Sequence, residues 1–92
     1  MSYEVVLQPA AIADLASLPL PVQNAVEQHL NRLASDPVGL SRPSVLPYPP
    51  CQMFPFQVEL DGVRWFITVL FRFSADEEEI RVFAIGRTWQ EV

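Results

Sequence analysis

DGVRWFITVLFRFSADEEEIRVFAIGRTW, residues 61–89, is the stretch whose reading decides the fold. Val63 to Phe73 is nearly apolar on both alternating sets, which predicts a central strand covered on its two faces. Asp61-Gly62 ahead of it is a tight-hairpin pair, because a two-residue turn of the favoured hand needs positive φ at both positions. Ser74 to Glu79 is an acidic turn, and Ile80 to Gly86 is the partner strand. Upstream, Met53 to Leu60 alternates Phe54, Phe56, Val58 and Leu60 against Gln57 and Glu59. Pro55 marks that strand as an edge or a strand start, since proline gives no ladder donor.

Further toward the N-terminus, Tyr3 to Gln8 alternates as a short strand and stops at Pro9. Ala10 to Ser17 forms about two helical turns, with Ala11, Ile12, Leu15 and Leu18 on one side. Pro21 to Ser35 is the clearest helix. Val22, Ala25, Val26, His29, Leu30 and Leu33 make one apolar face, and Asp36-Pro37 closes it. The tight Pro19–Pro21 link predicts a helical hairpin on one face of a sheet.

Residues 37–52 are proline-rich and lack a period, so they read as an extended loop. A loop of this length in a small domain is a candidate lid, with Leu40, Leu46 and Tyr48 as candidate interface residues. The expectation is a single α+β domain over residues 1–92. Its order is β-α-α-β-β-β, with the helical hairpin packed on a small, mainly antiparallel, curved sheet.

Half of the 92 residues are hydrophobic, high enough that another chain is expected to cover part of the surface. A homo-oligomer is open on the same ground. Arg64 and Arg72 interrupt the longest apolar run, so no membrane span is expected. No signal peptide is evident at the N-terminus, and a single cysteine, Cys51, fits a reducing cytoplasm. All six cationic side chains are arginines, against eleven acids. The net charge of −5 opposes a broad, non-specific nucleic-acid footprint.

Arg64, Arg72, Arg81 and Arg87 therefore stand out on the hairpin, because a guanidinium stays charged and must remain wet or find a partner. They form either an anion-binding floor or a set of solvated strand arginines. In the second case Arg64, Arg81 and Arg87 have Glu59, Asp61 and Glu79 within reach, and Arg72 has Asp76 or Glu77. Strict alternation puts Arg81, Phe83, Ile85 and Arg87 on one strand face. His29 reads as a packed helix histidine, and Cys51 has no neighbour that would activate a thiol. No metal-ligand spacing, phosphate loop or nucleophile elbow occurs, so neither metal nor cofactor is expected. Trp65, Phe66, Phe71 and Phe73 read as core.

Four segments together carry a resemblance: YEVVLQPAAIADLASLP (3–19), LASDP (33–37), DGVRWFITVLF (61–71) and IRVFAIGR (80–87). In that order the chain resembles the RelE/ParE superfamily of toxins from bacterial type II toxin–antitoxin pairs. The resemblance runs almost the whole length, and it rests on the order of the segments rather than on any one of them. It implies a cytoplasmic toxin neutralised by a cognate antitoxin. RelE-like members cleave messenger RNA on the ribosome without a metal, whereas ParE-like members act on DNA gyrase and are not nucleases.

For RNA cleavage the resemblance implies Arg64 and Arg87 on the phosphate, with Arg81 as a third cation and Trp89 stacking on a base. The lysines of the nuclease pattern are absent, and the aromatic nearest the place of its terminal tyrosine is Trp89, which cannot exchange a proton usefully. The departures favour the alternative of a ParE-like or catalytically degenerate member that acts by binding protein.

Overall fold

The computed structural model describes residues 2–44 and 51–92. Its elements are β1 (Glu4–Leu7), α1 (Pro9–Ala16), α2 (Leu20–Ser35), β2 (Arg42–Pro43), β3 (Gln52–Leu60), β4 (Val63–Ser74) and β5 (Glu79–Glu91). The strands form one five-stranded sheet in the order β1-β5-β4-β3-β2. Among the described residues the β1–β5 pair is parallel and the remaining pairs are antiparallel. This is the α+β architecture expected from the sequence, with two additions.

The first addition is β2, a two-residue strand inside the proline-rich segment, antiparallel to Met53 and Gln52. Leu40 packs against the core from the same segment. Leu46 and Tyr48, and with them most of the candidate lid, lie outside the described residues.

The second is the length of β5, which runs through Glu91 instead of ending near Gly86. The reason lies in β4: pairing continues down to Val63 opposite Glu91, so the long central strand templates its neighbour to the end. Asp61 (φ 53°) and Gly62 (φ 75°) make the tight turn between β3 and β4 with both central residues left-handed.

Both helices pack on one face of the sheet. Proline opens each one, where its missing donor costs nothing. Ala11, Leu15, Val22, Val26, Leu30 and Leu33 meet Phe54, Ile67, Val69, Phe71, Ile80, Val82 and Ile85 in a single core. Among the described residues no buried side chain is polar or charged.

Phe71 and Phe73 belong to that core side, and Trp65 packs at its margin. Phe66 does not. It pairs with Gln57 and Thr88 on the sheet face turned away from the helices, a correction to its expected place in the core.

Candidate functional site

Register decides which arginines can act together. Residues opposite each other in an antiparallel ladder share a face. Val63, Trp65, Ile67, Val69, Phe71 and Phe73 of β4 face the helices, so Arg64 and Arg72 project from the open face.

On β5 the parity changes. Phe71 pairs with Val82 while Leu70 pairs with Ala84, leaving Phe83 as an extra residue. A bulge of this kind turns every later side chain to the other face. Ile80 and Val82 are buried before it and Ile85 is buried after it, which records the switch.

Arg81 therefore lies on the open face across from Arg72, and Arg87 lies on the helix side across from Ile67. Strict alternation had placed Arg81 and Arg87 together, and the bulge at Phe83 overturns that. It is invisible in the sequence because Phe83 reads as an ordinary strand residue, and the one glycine nearby, Gly86, pairs regularly with Thr68.

Distance separates the open-face pair as well. Arg64 and Arg72 are eight residues apart on one strand, and Arg81 sits beside Arg72. About 27 Å of strand thus lies between Arg64 and Arg81, too far for both to hold one phosphate. The three arginines do not form one cationic cluster.

Local partners neutralise two of them. Arg64 Nη2 donates to Glu59 Oε2 at 3.3 Å, directly across the β3–β4 ladder. Arg81 Nη2 donates to Glu77 Oε2 at 2.8 Å, and its Nε donates to Glu79. The hydrogen bond and charge of Glu79, with the charge of Glu77, raise the Arg81 pKa further above its ordinary value. The guanidinium of Arg72 lies 5.9 Å from the centre of the Phe83 ring, within cation–π range.

Arg72, Arg81, Glu77, Glu79 and Phe83 line a cavity of about 350 Å³ with Gln8 and Ser74. Its two arginines are matched by Glu77 and Glu79, so it offers no excess positive charge to a phosphate.

Arg87 is exposed and makes no ion pair among the described residues. Beside it on the same face Trp89 is 60% exposed, and its ring lies 6.3 Å from that of Trp65 at an interplanar angle of 47°. This end of β5 is where a cation and an aromatic surface come together in the open.

His29 is placed as the helix pattern requires. Its ring stacks on Phe56 with centroids 4.0 Å apart and meets Phe54 edge-on at 6.3 Å. Arg32 Nη1 lies 3.1 Å from Nδ1, and since a guanidinium only donates, the ring is neutral and accepts there. Burial, then the charge of Arg32, lowers its pKa below the ordinary histidine value. Among the described residues no group of three or more His, Cys, Asp and Glu side chains is gathered as a metal site would need. Nor is any helix there long and apolar enough to cross a membrane.

The residue missed by sequence reasoning is Asp14. Its Oδ2 accepts the backbone N–H of Ile85 at 2.9 Å, just past the end of the β1–β5 pairing. The pattern that includes Asp14 and Leu15 in the opening segment was visible, but the partner lies on the last strand.

No protein-family model matches the sequence, and no curated protein matches it. Solved structures do match. The RelBE2 toxin–antitoxin complex of Mycobacterium tuberculosis gives a TM-score of 0.72 at 17% identity, over 96% of this chain and 100% of that one. The intact E. coli RelBE complex gives 0.66 at 12% identity, over 95% of this chain and 98% of that one. The isolated E. coli RelE toxin gives 0.66 at 12%, over 95% and 85%. At such identities the likeness fixes the fold: two helices on a mostly antiparallel five-stranded sheet, as in the RelE toxins.

Proposed function

We infer that this chain is the toxin-like component of a bacterial type II toxin–antitoxin pair, held by a cognate antitoxin and acting by binding protein rather than by cutting RNA. The observation that carries the first half is the RelE fold over nearly the whole chain, in structures whose names are those of toxin–antitoxin complexes. The second half rests on the separation of Arg64, Arg81 and Arg87 by a bulge and by the length of β4.

A metal-independent ribonuclease must surround one phosphorane with cations and proton donors. Here Arg64 and Arg81 are each tied to carboxylates. A binder needs only an exposed surface, and −5 of net charge suits a basic protein segment better than RNA. A gyrase-type protein target fits this reading.

The second reading is ribosome-dependent cleavage of messenger RNA. Exposed Arg87 beside Trp89 favours it, the one for a phosphate and the other for stacking. Arg64 and Arg81 would then contribute at a distance from the phosphate.

In vitro translation with mapping of transcript ends separates the two. The binding account expects intact transcripts in the presence of this chain, and cleavage lost in Arg87→Ala would establish the nuclease instead.

A further inference from the structure

The outer edge of β5 is paired with β1 only over Glu79 to Val82. Gln8 N–H reaches Val82 O, the chain turns into α1, and Asp14 takes the Ile85 N–H. Beyond Ile85, among the described residues, no strand pairs with this edge. Two hydrogen bonds define which groups it presents. Ile85 N–H points outward to Asp14, and Val92 N–H points inward to Gly62 O. Strand groups alternate, so Arg87, Trp89 and Glu91 present their backbone N–H and C=O outward. The stretch has no proline, lysine or second bulge to blunt it, and its two charges, Arg87 and Glu91, are of opposite sign.

We propose that this edge pairs antiparallel with the same edge of a second copy, with Trp89 opposite Trp89 on a two-fold axis. The register is set by the charges. Arg87 and Glu91 lie four residues apart, about 13 Å along a strand, so they cannot meet within one chain. Neither makes an ion pair among the described residues. Centring on Trp89 places Arg87 of each copy opposite Glu91 of the other, twice by symmetry.

All three side chains share the helix-side face, across from Ile67, Trp65 and Val63. The Trp65–Trp89 contact then continues across the axis as a row of four indoles. The outward-facing trio matches residue for residue, which gives a closed, isologous contact rather than an open fibre. The pairing stops short of the Ile85 amide that Asp14 already occupies. This inference stands apart from the toxin reading, since its test reads mass rather than toxicity.

Sedimentation velocity of the purified chain across the micromolar range is the experiment, with circular dichroism to confirm that each variant is folded. The wild type is expected to sediment at twice the chain mass. Arg87→Glu and Glu91→Arg should each weaken association at least about tenfold, because symmetry places a like-charge pair twice. The double variant R87E/E91R should restore the dimer. A wild type that stays monomeric overturns the proposal and leaves the edge to a different protein. A dimer indifferent to both single reversals overturns it too.

Discussion

Asp14 on α1 accepts the Ile85 backbone N–H of β5 at 2.9 Å, joining residues 71 positions apart. β1 is too short to pair with all of β5, so without Asp14 this half-buried amide would have no partner at the point where the chain leaves the sheet. The contact fixes α1 against the strand that carries Arg87 and Trp89.

Removing that acceptor should cost stability out of proportion to one exposed-looking aspartate. Asp14→Ala is expected to lose about 1–3 kcal/mol in urea denaturation, the cost of an orphaned amide. Asp14→Asn keeps a carbonyl oxygen and should lose less. Hydrogen exchange at Ile85 should quicken in the alanine variant, and unchanged exchange would mean the bond does not hold in solution.

The β3–β4 turn predicts a backbone effect with no steric part. A Cβ on Gly62 would meet nothing within 4 Å, yet φ there is 75°. Gly62→Ala should therefore destabilise by about 1–2 kcal/mol through the left-handed backbone alone. Thermal melts of the two proteins would show it.

His29 gives a pH dependence with a definite sign. Its pKa in the fold lies below its ordinary value, so below about pH 6.5 the unfolded chain binds a proton that the folded one refuses. The contribution is fully present above the unfolded pKa and is lost as pH falls through that window. His29→Phe keeps the stacking surface and cannot titrate. The stability difference between wild type and variant should move against the wild type as pH falls from 7 to 5. A constant difference would show that the histidine is protonated equally well in both states.

Much of the fold was legible because its signals are local. Asp61-Gly62, the apolar run from Val63 to Phe73 and the prolines around α1 and α2 each act on their own neighbours. The arginine site was not legible in the same way. Its expected face followed from counting in twos, and one unpaired residue at Phe83 reversed the count for everything after it. A bulge shows only in the pairing of two strands, and Phe83 carries no glycine or other local mark of one. Asp14 was hidden for the same reason, since its value depends on a strand at the other end of the chain.

The geometry also predicts how single arginines behave in cells. Arg64→Ala and Arg81→Ala should each leave any growth arrest intact, because each guanidinium is engaged with glutamates and they lie far apart. Loss of arrest in either variant, with the fold preserved, would return that arginine to the site.

The toxin reading stands or falls on bacterial growth after tightly controlled induction of this chain alone. It predicts arrest that is relieved when the product of the adjacent reading frame is made alongside it. Undiminished growth in cells that contain the folded chain would contradict the toxin reading.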